Sequence, residues 1–146
     1  MLLVCNPGGH LQQMLALEPA WKQFECSWAT LPGADVDTLL AGRDVTKGHG
    51  PTNRSALNGI RNFFVAWRVI RRQRPDLLLS TGAGLAVPFF LVGRLLGRRL
   101  IYVESLTRID GLSLTGRIIY PFADEFFVQW PGAAVKKRMR YHGSIL

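Results

Sequence analysis

Asp76-Leu77-Leu78-Leu79-Ser80-Thr81-Gly82-Ala83-Gly84 is the stretch on which the fold turns. A short apolar run behind Pro75 reads as a strand buried on both faces. Ser-Thr-Gly-Ala-Gly then reads as a tight turn, with an apolar helix following it to about Gly97. Strands that feed helices through glycine turns build parallel sheets. The same alternation extends toward the N-terminus. Residues 2–5 form a first strand and Asn6-Pro7-Gly8-Gly9-His10 its turn. Leu11, Met14, Leu15 and Trp21 then fall at helical spacing, which predicts one helix over 11–21. Residues 25–29 read as a second strand, 35–40 as a short helix and 45–48 as a third strand. Ser55 suits the N-cap of the longest helix, which Pro75 stops after about Gln73. Toward the C-terminus come a strand at 100–104, a helix at 112–120 and a strand at 125–130. The basic tail from Lys136 onward is given no element. The expected fold class is α/β: a Rossmann-like parallel sheet with helices on both faces, in a single domain over 1–146.

A chain of 146 residues is long enough for one proper core. Hydrophobic residues make up 48% and charged ones 19%, a lower charge than is usual for a soluble domain, so an apolar surface for a partner or a membrane is expected. The net charge of +8 favours anions, whether phosphate, acidic lipid or nucleic acid. Cys5 and Cys26 sit in predicted strands without motif spacing, which argues against a disulfide framework or a zinc site and for a reducing compartment. Neither a metal cluster nor a cofactor fingerprint is visible. Met1 leads straight into the first strand, so no signal peptide is expected. No apolar run reaches the ~20 residues of a spanning helix. The longest, 83–93, suits a buried or interfacial helix, so membrane attachment is expected to be peripheral.

In open α/β sheets, ligands bind beyond the carboxyl ends of the strands. Three such ends carry chemistry here. At the first, Gly8 and Gly9 let the backbone turn tightly and bring its amides toward an anion at the start of a helix, while His10 offers a phosphate donor or a base. At the second, Ser80, Thr81, Gly82, Ala83 and Gly84 offer hydroxyls and free amides at another helix start. At the third, Glu104 offers a carboxylate for a sugar hydroxyl or for general-base work. Each also has an ordinary structural reading, as a tight turn, a set of capping residues or a helix cap. Together they suit a sugar diphosphate better than a nicotinamide. The first loop lacks G-x-G-x-x-G, and the second strand ends in Ala29-Thr30 without the acid that reads a ribose. No Gly-Lys-Ser/Thr of a P-loop follows either.

Pro-Gly-Gly-His at 7–10, Ser-Thr-Gly-Ala-Gly-Leu-Ala-Val-Pro at 80–88, Tyr-Val-Glu-Ser at 102–105 and Phe-Val-Gln-Trp-Pro at 127–131 occur in this order. The set resembles the membrane-anchor subunit family of the two-component UDP-N-acetylglucosamine transferase of the dolichol pathway. It resembles still more its bacterial relatives in exopolysaccharide and capsule clusters. The family is similar to the N-terminal half of MurG-type GT-B transferases. The resemblance implies an acceptor diphosphate near Gly8, Gly9, His10 and Ser80 through Gly84, with Glu104 at the position of the family's glutamate. It implies a separate partner that holds the UDP-sugar and a polyprenyl-diphosphate-linked acceptor. It also implies inversion at the anomeric carbon, and inactivity of this chain alone. His10 and Glu104 are both candidates for the base. Eukaryotic members usually begin with a spanning segment that is missing here, which points to the cytoplasmic face of a bacterial inner membrane.

On the 55–73 helix, Ile60, Phe63, Phe64, Trp67 and Ile70 share a face, with Arg61, Arg68 and Arg72 on another. On the next helix, Phe89 and Phe90 precede Arg94, Arg98 and Arg99, an order that suits docking on an anionic membrane surface. The cluster at 136–140 suits phosphate, lipid or the partner protein. Two rivals stand beside the transferase reading: a basic nucleic-acid-binding module and a self-sufficient nucleotide-sugar enzyme. The basic residues lack a helix-turn-helix or a stacking platform, so nucleic acid is not the expected partner.

Overall fold

The computed structural model describes residues 1–146 apart from Arg54, Val135 and Leu146. Seven parallel strands form one sheet: β1 (Leu2–Val4), β2 (Ser27–Thr30), β3 (Val45–Lys47), β4 (Leu77–Ser80), β5 (Arg99–Val103), β6 (Glu125–Val128) and β7 (Met139–Tyr141). Their order is β3-β2-β1-β4-β5-β6-β7, so the winding reverses between β1 and β4. Register there pairs Leu2 with Leu78 and Val4 with Ser80. The turns after both strands therefore open side by side at the same edge. β7 went unassigned in the sequence because Met139-Arg140-Tyr141 is short and two of its three residues are exposed.

Alternation along the strands sorts the core into two layers. Leu2, Val4, Leu78, Leu100, Tyr102 and Phe126 face one side, under α4 (Ala56–Gln73), α5 (Ala86–Leu95) and α6 (Leu114–Ile119). Leu3, Cys5, Leu79 and Val103 face the other, under α1 (Gly9–Ala16), α2 (Glu18–Trp21) and α3 (Ala34–Leu39). Trp21 packs edge-on against Trp28 in this second layer, with ring centroids 5.3 Å apart. Both cysteines are free, and burial, with Asp35's charge second, pushes the Cys5 thiol up to about 12.

Two helices differ from expectation for identifiable reasons. The helix expected over 11–21 breaks at Leu17 into α1 and α2. Pro19 has no amide to donate and its ring crowds the carbonyl four residues back, so one ladder cannot run through it. In α4, Ser55 caps as expected, its hydroxyl accepting from Asn58 N at 3.3 Å. The helix ends at Arg74 in the left-handed region, just before Pro75. Its buried stripe, however, is Asn58, Asn62, Ala66, Val69 and Ile70, while Ile60 and Phe64 are exposed. Two asparagines can be buried there because they hold the loop before the helix. Asn62 donates to His49 O at 2.8 Å and accepts from His49 N at 2.7 Å, and Asn58 donates to Pro51 O at 2.9 Å.

Parallel sheets are ordinarily covered on both faces. On the second face this cover is incomplete over β4, β5 and β6: Leu79 and Val103 are buried in the cluster with Leu11 and Met14 of α1, but Leu77, Ile101 and Phe127 are only partly buried. These five floor a groove of about 450 Å³, edged by Leu17 and Ala20 and by the tail from His142 to Ile145.

Candidate functional site

A cleft of about 920 Å³ opens at the carboxyl edge where the winding reverses. His10 stands on one wall. Its Nδ1 lies 2.8 Å from the Thr81 carbonyl oxygen, and the Thr81 hydroxyl donates back to His10 O at 2.7 Å. A carbonyl can only accept, so Nδ1 carries the proton in a neutral ring and Nε2 is left as the acceptor. The turns after β1 and β4 are thus locked together, and the tautomer of His10 is set by the second turn.

The rest of the glycine loops is more structural than expected. Gly8 and Gly9 are exposed and lie outside the cleft lining. The Gly8 amide is already occupied, donating to Asp35 Oδ2 at 2.7 Å. A carboxylate therefore fills the anion position anticipated on that turn. Ser80, Thr81 and Gly82 are buried beneath the cleft. Ser80 Oγ takes the Gly82 amide at 3.1 Å, and Thr81 is committed to His10. Only Ala83 and Gly84 of the second turn reach the cleft. Ala83 holds φ 70°, a left-handed conformation uncommon for a residue with a Cβ and costly unless its surroundings enforce it. At Gly84 a Cβ would lie 2.8 Å from Thr52 Oγ1, so glycine is what lets the 52–53 loop close over the turn.

Glu104 does not face the cleft as expected. Its residue is 1% exposed, and its oxygens are occupied. Oε1 accepts from Ser105 N at 2.9 Å, and Oε2 accepts from Ser113 N and Oγ, both at 3.1 Å. Ser113 in turn caps α6 through Gly116 N at 2.9 Å. A Cβ at Gly116 would run into Glu104 Oε2, so the close approach requires glycine. Tyr102 OH lies 3.5 Å from Glu104 Oε1. Burial, and after it the charge of Glu104, holds that hydroxyl well above the ordinary tyrosine range, so it stays a neutral donor. A carboxylate so enclosed has no path to a substrate proton, and the geometry makes it an anchor for residues 105–113.

Sequence reasoning missed four participants. Gln13, buried in α1, donates to Glu104 O at 2.8 Å and accepts from Leu106 N at 3.3 Å, gripping the backbone as a neighbouring strand would. The contact spans more than 90 residues, and helical spacing alone gives no hint of it. Thr52 and Asn53 enter from the loop that α4 holds. Arg108 comes with the 105–113 segment, where Arg-Ile-Asp-Gly reads only as a polar turn.

The expected docking residues are placed elsewhere. Phe89 and Phe90 are fully buried, because α5 lies between α4 and α6 and packs most of its length into the core, with Leu95 exposed only at its end. Arg94, Arg98 and Arg99 sit at the far end of that helix, about 15 Å along its axis from the cleft turn. Arg94 pairs there with Asp124 at 3.4 Å, and Arg99 approaches Glu125 at 4.0 Å. Apolar residues exposed on the helices include Leu57, Ile60 and Phe64 on α4 and Leu114 and Ile118 on α6; of these Leu114 and Ile118 lie in the cleft lining, to which α4 contributes Gly59. The 136–140 cluster folds back on Tyr120, with Arg138 donating to Tyr120 O at 2.9 Å.

Sheet order, switch-point cleft and two-sided helical cover define the class: a Rossmann-like domain of the GT-B kind. MurG of Acinetobacter baumannii superposes with a TM-score of 0.77 at 18% identity, over 96% of this chain and 45% of that one. The MnaA–UDP structure from S. aureus superposes at 0.75 and 12% identity, over 99% and 44%. Residues 31–145 match the family model described as "Oligosaccharide biosynthesis protein Alg14 like", and the chain belongs to the Alg14 family. The UDP-N-acetylglucosamine transferase subunit ALG14 of Debaryomyces hansenii is 36% identical over 182 residues, covering 100% of this chain and 76% of that protein. Its namesake in Eremothecium gossypii is 38% identical over 124 residues, covering 78% and 55%, so this chain spans about half of that relative. The human protein of the same name is 35% identical over 83 residues, 53% of this chain and 38% of its own.

Proposed function

We propose that this chain is the acceptor-binding subunit of a two-protein inverting glycosyltransferase. It moves a sugar from a UDP-sugar to a hydroxyl of a polyprenyl-diphosphate-linked glycan, at the cytoplasmic face of a bacterial inner membrane. The observation that carries the reading is the His10–Thr81 lock at the switch point: it presents one basic nitrogen, Nε2, in a cleft large enough for a glycan head. In the reaction, Nε2 takes the proton of the acceptor hydroxyl. The oxygen forms its bond to the anomeric carbon, and the carbon–oxygen bond to UDP breaks from the opposite side. The leaving diphosphate keeps the electron pair.

One feature favours a second polypeptide as the donor site: relatives are named as subunits. The partly covered groove over β4–β6 supplies an apolar seat for such a partner. Docking falls to Leu57, Ile60 and Phe64 in place of the α5 set, because these side chains are exposed on α4, the helix whose Gly59 lines the cleft. No helix is long and apolar enough to cross a membrane among the described residues.

The test is reconstitution with the partner. His10→Ala is expected to lower turnover by roughly 10²–10⁴-fold while the two chains still co-purify. Undiminished turnover in that variant would remove His10 from the chemistry.

A further inference from the structure

A diphosphate needs more countercharge than a neutral imidazole supplies, and the described residues around the cleft offer one strong source of it. Among them only Arg108 is an arginine or lysine. It has no ion-pair partner among the described residues, whereas Arg43, Arg94, Arg99 and Arg140 each have a carboxylate. The glycine turn after β1 cannot take that role, because Asp35 holds the Gly8 amide and adds a negative charge there. Ala83 and Gly84 leave backbone but no charge.

A long side chain on a loose loop would lose much of its pairing energy to ordering. Arg108 is not on a loose loop. Its amide closes a turn onto Ser105 O at 3.0 Å. The turn is fixed below by Glu104, which receives Ser105 N, and by Gln13, which receives Leu106 N. Trp130 closes it from the far side, its indole donating to Leu106 O at 2.7 Å. Three anchors from three elements therefore hold one arginine at the mouth of the cleft. Its field reaches the floor, where it opposes the upward displacement of Tyr102.

We propose that Arg108 is the side chain that pairs with the diphosphate of the cleft's ligand, on an arm pre-positioned by Gln13, Glu104 and Trp130. This rests on the cleft being the acceptor site and adds the residue that sets its preference for a diphosphate. Guanidinium meets two phosphate oxygens in a planar fork, which a lysine ammonium cannot reproduce.

The experiment is a titration of the ¹⁵N-labelled chain with inorganic pyrophosphate and with geranyl diphosphate, followed by amide shifts. Wild type, Arg108→Ala, Arg108→Lys and Arg117→Ala are compared; Arg117 is exposed on α6, outside the cleft lining. Arg108→Ala is expected to weaken binding of both probes about 10- to 100-fold, the loss of a charge-assisted pair. Arg108→Lys is expected to recover part of it and Arg117→Ala to match wild type. Amide exchange over 105–113 should be unchanged in Arg108→Ala, which shows that the arm is intact. Equal affinity for wild type and Arg108→Ala would overturn the assignment while leaving the acceptor cleft in place. Equal weakening by Arg117→Ala would overturn it in favour of diffuse surface charge. A wild-type chain whose cleft amides respond to neither probe would overturn this assignment and the acceptor reading together.

Discussion

Glu104 and His10 looked interchangeable in the sequence, as two titratable side chains just beyond strand ends. The structure separates them by what surrounds each. His10 has one nitrogen occupied and one available, whereas Glu104 has both oxygens occupied and no exposure to use. Replacing that carboxylate tests the difference. Glu104→Gln puts an NH₂ opposite groups that also donate, and is expected to cost about 1–3 kcal/mol of stability. Faster amide exchange over 105–113 and a raised acceptor KM in the reconstituted pair should accompany it, with the shape of the kcat–pH profile preserved. A collapse of kcat with an unaltered arm would restore Glu104 as the base. Neither Gln13 nor Arg108 could have been singled out beforehand. Their roles depend on contacts made across the sheet, and a glutamine or arginine carries no sequence signature of such a contact.

At the level of elements, the strands and their turns were legible because buried parallel strands read as apolar runs and glycines mark where the chain must bend. The break at Pro19 was written in the sequence as well, but the apolar spacing on both sides of it spoke for one helix. Helix faces were harder. α5 is the more apolar and was expected to touch lipid, yet its apolarity mostly reflects burial, with Phe89 and Phe90 inside the core. α4 has a polar buried stripe, because its asparagines find partners in the 49–51 loop that no periodicity rule anticipates. The outward face of α4 is therefore the one to test. In flotation with anionic vesicles, Leu57→Ser, Ile60→Ser and Phe64→Ser together are expected to abolish most binding. Arg94, Arg98 and Arg99 changed to Ala should leave the greater part of it. The reverse pattern would return docking to the far end of α5.

For the molecule as a whole, the sheet presents a cleft at one edge and a thinly covered strip on one face. The strip makes a separate prediction. Ile101→Lys, in the floor of the groove, is expected to abolish co-purification with the donor-binding partner while pyrophosphate titration still moves the cleft amides. Unimpaired pairing in that variant would place the partner on another surface. Asn58 and Asn62 give the molecule a second connection. The rod that shows Leu57, Ile60 and Phe64 to its surroundings grips residues 49 and 51 from behind, and Thr52 and Asn53 continue from that grip into the cleft wall. A tilt of α4 is therefore expected to shift Thr52 and Asn53 at the cleft wall.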